Sequence, residues 1–330
     1  MLLAGDIGGT KTVLASYEVA AGGALRELRD GTFPSRDFPD GLESIVQKFL
    51  SVGPSAPITS ACFGVAGAVV DGRCTTTNLP WILDERTLAR SIPAGRVKLL
   101  NDLEAAAWGV LAFGPSERVT LQAGTARAGN LALIAAGTGL GEAGLYWDGR
   151  SHLPFATEGG HAGFAPSDEI QIDLLRHLLR RFDQVSWERV VSGPGLVNIY
   201  SFLRDSGRGE EPSWLADEIS SGEPAAVIST VALSGRSRLC SDALDLFVTL
   251  YGAEAGNLAL KVMATGGVYV GGGIAPKILP RLRGPAFVKA FVAKGRMRPL
   301  LEAMPVRVVL NDSLALLGAA RYAASEAPAD

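Results

Sequence analysis

The feature that most constrains the fold of this chain is a pair of glycine-rich turns flanked by apolar segments. The first turn, Gly8–Thr10, follows the apolar run 2–7, and the second, Gly137–Gly139, lies between the apolar segments 131–136 and 145–147. Glycine tolerates positive φ, so each pattern favours a β-hairpin. Bare backbone amides and threonine hydroxyls can approach a polyanion closely. Either turn alone favours an ordinary hairpin, but the two together predict a clamp for the phosphates of a nucleotide.

Two better-known phosphate motifs are similar to these turns, and their spacing argues against both. In GDIGGTKT the residue before Lys11 is Thr10, where a P-loop requires glycine, and the segment that follows is too rich in β-forming residues to open a helix. The second turn contains a formal G-x-G-x-x-G over Gly139–Gly144. A dinucleotide-binding turn must open a helix, whereas residues 145–150 predict a short strand and a turn. The sequence therefore excludes a P-loop and disfavours a dehydrogenase.

Composition and charge limit the class of protein. The chain has 330 residues, of which 47% are hydrophobic and 20% charged, so it can bury a large core in about two domains. A net charge of -3 gives no global basic field, and we expect neither nucleic acid nor a membrane surface as a partner. The segment 255–301 has no acidic residue and could attract phosphates, although a solvated helical face explains it better.

The cysteines and the N-terminal segment point to a reducing compartment. Cys62, Cys74 and Cys240 are odd in number and lack C-x-x-C spacing, so neither a disulfide framework nor a thiolate metal site is indicated. The first residues have no basic n-region, and no apolar run approaches transmembrane length. We therefore expect a cytoplasmic protein.

Strand and helix patterns alternate along the chain and predict two α/β halves. In RVKLLNDLEAAAWG, a strand over Val97–Leu100 ends at Asn101 and Asp102, where a helix begins. The tail VRVVLNDSLALLGAARYAA predicts one more strand and helix that fold back onto the first half. The expected division is a small domain, 1–110 plus 304–330, and a large domain, 111–303.

Six ordered motifs carry a resemblance to a known family. They are GDIGGTKT, LLNDLEAAAWG, AAGTGLGEAGL, EGGHAGFAP, SWERVVSGPGLVNIY and GGVYVGGGIAPK. From Asp6 to about Tyr322 the chain resembles the bacterial glucokinases of the hexokinase and actin-like ATPase superfamily. The resemblance implies an α/β fold of two ribonuclease-H-like domains around a central cleft, with ATP and Mg²⁺ as cofactors, glucose as substrate and a homodimer as the assembly.

The same resemblance implies a set of site residues. The sugar contacts would be Asn78, Asn101, Asp102, Glu158, His161 and Glu188, with Asp102 the general base toward the 6-hydroxyl. The nucleotide contacts would be Asp6, Gly8, Gly9, Thr10, Lys11, Gly137, Thr138, Gly139, Gly271, Gly272 and Gly273. Asp6 would organise magnesium through water, and Gly271–Gly273 would receive the adenosine. The chain departs from the family pattern at Ala135-Ala136 and at Glu142 in the second turn.

The residues themselves leave plainer interpretations open. From position alone, Asp102 is better explained as a helix N-cap or first-turn acid, which is compatible with a role as base. Glu158 and His161 on a glycine loop suit hydrogen bonds to vicinal hydroxyls, and E-x-x-H across two glycines is not a helical metal-ligand pair. Glu188 could be an exposed acid paired with an arginine, and Gly271–Gly273 an ordinary strand-to-helix turn.

The function expected from this sequence is ATP-dependent phosphorylation of glucose to glucose 6-phosphate. Phosphoryl transfer needs positioning and charge neutralisation more than covalent help, and an aspartate, magnesium and a backbone cradle supply both. A kinase for another hexose or an aminosugar is the nearest alternative. A noncatalytic sugar sensor is disfavoured because the first hairpin begins at residue 5 and leaves no room for a helix-turn-helix. The residues after His161 also lack the cysteine-rich zinc motif of the related repressor and sugar-kinase family.

Overall fold

The computed structural model describes residues 1–20, 23–52, 56–76, 79–112, 117–125, 127–311 and 313–326. The chain divides into two compact units. The first unit comprises Met1–Pro115, Pro154–Ala156 and Asn311–Asp330, and the second comprises Ser116–Leu153 and Thr157–Leu310.

The described residues form strands and helices in both units, with a run of five helices, α4 to α8, between β12 and β13. The strands are β1 (Leu2–Ile7), β2 (Lys11–Val19), β3 (Leu25–Pro34), β4 (Ser60–Val65), β5 (Val69–Val70), β6 (Arg73–Thr75), β7 (Ile82–Asp84), β8 (Val97–Asn101), β9 (Arg118–Gln122), β10 (Leu131–Ala136), β11 (Leu140–Trp147), β12 (His152–Thr157), β13 (Gly267–Gly271) and β14 (Val306–Val309). The helices are α1 (Leu42–Leu50), α2 (Glu85–Ser91), α3 (Asp102–Val110), α4 (Glu169–Leu178), α5 (Gly193–Asp205), α6 (Ser213–Ser221), α7 (Pro224–Leu233), α8 (Arg238–Lys261), α9 (Leu279–Leu282), α10 (Pro285–Val292), α11 (Arg298–Ala303) and α12 (Leu314–Ser325).

The first unit is built on a five-stranded sheet in the order β3-β2-β1-β4-β8. The predicted first hairpin is confirmed, because β1 and β2 pair antiparallel around Gly8–Thr10. Strands β1, β4 and β8 are parallel, and Ile7, Val65 and Asn101 lie side by side in register. The carboxyl ends of these three strands therefore share one edge of the sheet, which carries the first glycine turn and the start of α3.

The second unit is built on a six-stranded sheet in the order β12-β11-β10-β13-β14-β9. The predicted second hairpin is also confirmed, with β10 and β11 antiparallel around Gly137–Gly139. Strand β13 is parallel to β10, and Ala135 lies beside Gly271. The second glycine turn and the glycine run after β13 consequently lie at the same edge of this sheet. The two sheets share a pattern. In each, three strands consecutive in sequence lie side by side (β1–β3 or β10–β12), and two further parallel strands follow (β4 and β8, or β13 and β14).

One part of the predicted domain division differs from the structure. We assigned residues 304–310 to the small domain, but β14 lies between β13 and β9 in the sheet of the second unit. It pairs parallel to β13, and Val306 is buried beside Val268. The apolar strand pattern of the tail fits either sheet, so the sequence alone did not distinguish them.

The helix of the tail does pack where the sequence predicted. Helix α12 lies against α3 in the first unit, and the approach is close because both helices carry glycine at the crossing. A Cβ on Gly318 would overlap the carbonyl oxygen of Ala105, and a Cβ on Gly109 would overlap that of Leu314. These two glycines are needed for space rather than for backbone conformation.

Each unit has its own apolar interior. In the second unit the long helix α8 lies in the core, with Phe247 and Tyr251 fully buried. All three cysteines are free and buried, and burial raises the pKa of each thiol, which makes them poor nucleophiles. Within the described ranges, none of the helices combines the length and apolar character needed to cross a bilayer.

Candidate active site

The first glycine turn is braced from one side by Ser35. Its hydroxyl donates to the carbonyl of Gly8 at 2.8 Å, and its amide donates to the carbonyl of Thr10 at 3.0 Å. Thr10 and Lys11 remain exposed. Within the turn, the amide of Gly8 donates to the carbonyl of Lys11 at 3.0 Å. The turn is thus fixed by its own backbone and by Ser35, which leaves the exposed side chains of Thr10 and Lys11 suited to contact a ligand.

Asp6 lies on β1 immediately before this turn, between Val13 of β2 and Gly64 of β4. Burial raises the pKa of Asp6, and the nearby Lys11 ammonium acts in the opposite direction. A cation bound close to this carboxylate would stabilise its charge further. Among the described residues, no three His, Cys, Asp or Glu side chains gather into a metal cage. Mg²⁺ in nucleotide sites keeps several waters and needs only one or two carboxylates, so Asp6 fits that mode of binding.

Asn101 and Asp102 occupy the strand-to-helix junction at the same edge of the first sheet. Asn101 is the N-cap of α3: its Oδ1 accepts from the amide of Leu103 at 2.9 Å, and its Nδ2 donates to the carbonyl of Gly67 at 3.0 Å. Asp102 is the first helical residue, half-buried, with its Oδ1 2.8 Å from the same Leu103 amide. The cap that the sequence allowed for Asp102 is thus supplied by Asn101, and Asp102 is a first-turn acid.

The second glycine turn is held at both ends by residues far away in sequence. The amide of Gly193, at the start of α5, donates to the carbonyl of Gly137 at 2.8 Å. At the other end, the amide of Leu140 donates to Oε2 of Glu188 at 3.0 Å. A Cβ on Gly139 would lie 2.5 Å from that same carboxylate oxygen, so glycine is needed for Glu188 to approach. Glu188 therefore anchors the turn, and no arginine among the described residues forms an ion pair with it.

The glycine run after β13 packs against the second turn. Gly272 has φ +81°, and a Cβ there would overlap the carbonyl oxygen of Ala136. The amide of Ile274 donates to that carbonyl at 3.2 Å, and the Tyr251 hydroxyl donates to the carbonyl of Gly271 at 3.1 Å. A Cβ on Gly273 or Gly137 would meet no atom within 4 Å. The structure thus brings Gly137–Gly139 and Gly271–Gly273 together around open space.

Glu158 and His161 lie on a single helical turn next to β11. His161 Nε2 is 3.9 Å from Glu158 Oε2, and the two side chains are 63% and 61% exposed. The two glycines between them lie against β11, since a Cβ on Gly160 would overlap the carbonyl of Leu140. The backbone of this turn is therefore held against β11, and both side chains point away from it into solvent.

His161 and Glu188 also line one polar cavity of about 540 Å³ in the second unit. Its other lining residues are Arg181, Phe182, Asp183, Gln184, Ser186 and Arg189. The second unit therefore brings Glu158, His161 and Glu188 to the neighbourhood of the second turn. The first unit brings Asp102 to the edge that carries the first turn, and the predicted contact Asn78 lies outside the described residues.

Comparison with known proteins decides the family. The family model described as glucokinase matches residues 3–326. The chain is 44% identical to a glucokinase of Nostoc sp. (strain PCC 7120 / SAG 25.82 / UTEX 2576), covering 98% of this chain and 99% of the relative. This chain belongs to the glucokinase family. The predicted resemblance and the predicted enzyme class are thereby confirmed.

Solved structures agree with this assignment. A crystal structure of a glucokinase from an Antarctic psychrotroph superposes with a TM-score of 0.84 at 31% identity, covering 98% of this chain and 99% of that one. A ROK family glucokinase from Streptomyces griseus, solved in complex with glucose and AMPPNP, superposes with a TM-score of 0.69 at 23% identity, covering 98% and 99%. The second likeness is evidence of a shared fold.

Some residues of the site were not predicted individually. The amide of Gly193 holds the second turn, and Ser35 holds the first. The S-G-P-G pattern at 192–195 is a helix-start signature, with Ser192 as N-cap and proline in the first turn. That signal locates the helix but cannot show that its first amide meets a turn more than fifty positions away.

Proposed function

We propose that this glucokinase transfers the γ-phosphoryl group of ATP to the 6-hydroxyl of glucose, with Asp102 as the general base. The observation that supports this role is the alignment of β1, β4 and β8, which puts Asp102 at the same sheet edge as Asp6 and the turn Gly8–Thr10. In phosphoryl transfer the hydroxyl proton leaves late, so a positioned carboxylate is sufficient as base.

We propose that the two glycine turns hold the phosphates of ATP. Gly9 and Thr10 would offer amides, Thr10 a hydroxyl and Lys11 an ammonium. Gly8 would shape the turn, since its amide donates to the Lys11 carbonyl and its own carbonyl accepts from Ser35. At the second turn, the open space beside Gly137 and Gly273 lets a ligand approach the backbone directly. Gly271–Gly273 would receive the adenosine. The Streptomyces griseus structure was solved with AMPPNP, which supports an ATP site in this fold.

Magnesium would be organised by Asp6 through water. When bound, Mg²⁺ neutralises charge on the transferring phosphoryl group. Burial raises the pKa of Asp6, and the Lys11 ammonium lowers it. A cation bound beside this carboxyl group would therefore favour its ionised form.

We propose that glucose hydroxyls are bound by Asn101, Glu158, His161 and Glu188, with Asn78 as a further contact. Carboxylates accept from sugar hydroxyls, and the imidazole can donate or accept. Asn101 and Glu188 each already bind a backbone amide, which fixes their orientation. Their remaining lone pairs are available to a hydroxyl donor.

A coupled assay of ADP formation across sugars and phosphoryl donors tests this function. We expect glucose-dependent ADP formation from ATP that requires Mg²⁺ and exceeds the rate with other hexoses and aminosugars. A higher kcat/KM for an aminosugar would reassign the substrate. An absence of sugar-dependent ADP formation, with sugar binding retained, would instead identify a noncatalytic sensor.

Three further expectations of the family resemblance stand as proposals. The protein would be a homodimer, which sedimentation equilibrium measures directly. Its two units would act as ribonuclease-H-like domains around a central cleft, with the division proposed near residues 110 and 310. Glucose would then close the cleft and reduce the radius of gyration in small-angle scattering, whereas ATP alone would do so less.

A further inference from the structure

A buried acidic pair lies directly beneath the loop 158–161, and the proposed mechanism does not use it. Glu142 of β11 is 1% exposed, and Glu254 of α8 is fully buried. Two ionised carboxylates cannot share such a site without strong repulsion, so one of them must carry a proton or pair with a cation.

Glu254 has the partners that an ionised carboxylate requires. Its Oε1 lies 3.2 Å from Nζ of Lys261, and its Oε2 accepts from the amide of Asn257 at 2.7 Å. Lys294 donates to Asn257 Oδ1 at 2.6 Å and so orients that amide toward the acid. This network stabilises negative charge on Glu254.

Among the described residues, Glu142 lacks comparable hydrogen-bond donors. Its Oε1 is buried and has no hydrogen-bond partner among the described residues. Burial, followed by the negative charge of Glu254, raises the pKa of Glu142 to about 8, and Lys261 opposes the shift only in part. A protonated Glu142 can use its O–H as a donor toward the anionic Glu254, which satisfies the isolated atom.

The other side of Glu142 supports the loop. A Cβ on Gly159 would overlap Oε2 of Glu142, so the loop backbone rests directly on this carboxyl group. The Thr157 hydroxyl donates to the carbonyl of Glu142 at 2.9 Å and accepts from the amide of Gly159 at 3.2 Å. The space between Gly159 and the Glu142 carboxyl group admits the hydrogen atom of glycine but no Cβ. A movement of the Glu142 side chain toward Gly159 would therefore displace the loop.

We propose that Glu142 is a positioning residue for glucose: its protonated carboxyl group donates to Glu254 and thereby fixes the loop that carries Glu158 and His161. Ionisation of Glu142 would set it against Glu254 and push its side chain toward Gly159. The inference rests on the proposed assignment of this loop to the sugar. The charged and titratable groups that face Glu142 are Glu254, Lys261 and Tyr251 on α8, and Lys294 acts on the pair through Asn257.

The test is the pH profile of KM for glucose and KM for ATP, from about pH 6 to about pH 9.5. For the wild type, we expect the glucose KM to rise above about pH 8, approaching tenfold per pH unit, while the ATP KM changes much less. In Glu142→Gln the side-chain amide still donates to Glu254 but cannot ionise. We therefore expect a glucose KM within about twofold of wild type at neutral pH and no alkaline rise.

A second variant and two controls complete the test. Glu142→Leu removes the donor, so its glucose KM should be raised at every pH, and Gln at this position should rescue it. Glu104→Gln, which replaces a partly buried acid of α3, should keep the wild-type alkaline rise. The inference is overturned if Glu142→Gln retains that rise, or if the ATP KM rises in parallel. If Glu158→Gln leaves glucose binding unchanged, the assignment of the loop to the sugar is itself wrong.

Discussion

The substitution Asp102→Asn separates a catalytic aspartate from a structural one. The asparagine side chain keeps the shape and an oxygen that can accept from the Leu103 amide, which lies 2.8 Å from Oδ1 in the wild type. It loses the ability to accept the proton of the 6-hydroxyl. General-base contributions are about 10²- to 10⁴-fold, so kcat should fall by that factor, equivalent to about 2.7 to 5.5 kcal/mol.

The structural cost of the same substitution is much smaller. Asn101, and not Asp102, caps α3, so the cap remains intact. The substitution removes one negative charge from the first helical turn, and that charge is worth about 0.3 to 1 kcal/mol through the helix dipole. A loss of that size lowers Tm by a few degrees at most, roughly 2–4 °C per kcal/mol in a chain of this size. Unfolding therefore cannot account for a hundredfold loss of turnover.

The assay measures kcat, both KM values and thermal unfolding on one preparation, with Glu104→Gln as the matched control. Glu104 is the other acid in the first turn of α3, so its substitution removes the same kind of charge without touching the proposed base. We expect Glu104→Gln to keep turnover within about twofold of wild type, because the glutamine oxygen can still accept from the backbone amide of Asn101 and the proposed base is unchanged. Near-wild-type turnover in Asp102→Asn, or an equal loss in Glu104→Gln, would refute the role of Asp102.

Three further predictions concern the second unit. Glu158→Gln and His161→Ala should each weaken glucose binding by about 1.5 to 3 kcal/mol while sparing ATP, and calorimetric loss of ATP affinity instead would reassign the loop. Gly137→Ala should fold normally, because its Cβ meets nothing within 4 Å, yet raise the ATP KM about tenfold or more, whereas Gly163→Ala, equally open, should not. Glu142 binds a proton on folding between about pH 4.5 and 8, so its contribution to stability falls as pH rises through that window by up to about 1.4 kcal/mol per unit. In denaturant titrations Glu142→Gln should flatten that decline, and an unchanged slope would contradict the raised pKa.

The parts of the fold that local sequence patterns specify were predicted correctly. Both glycine hairpins, and the strand that ends at Asn101, follow from apolar runs broken by turn residues. The position of β14 was not predictable in this way, because Val306–Val309 is a buried apolar strand that suits either sheet. Its place is decided by pairing with β13, which is a contact remote in sequence.

The contacts that anchor the second turn and the loop 158–161 could not be predicted from the sequence either, because they also join residues remote in sequence. Glu188 approaches Gly139, and Gly159 rests on Glu142, only because folding brings separate segments to β11. The sequence shows that a glycine lacks a Cβ, but it does not show which atom of another residue lies where that Cβ would be. In the structure, those atoms are carboxylate oxygens in both cases.

Strand β11 therefore links two predicted binding segments through one short piece of backbone. Its first residue, Leu140, donates to Glu188 through its amide and meets Gly160 through its carbonyl, and Glu142, on the same face two residues later, supports Gly159. Because both supports belong to three consecutive residues of one strand, a shift of the β11 backbone moves both together. Sugar affinity and phosphate affinity should consequently respond jointly to backbone changes at 140–142, but separately to side-chain changes such as Glu142→Gln.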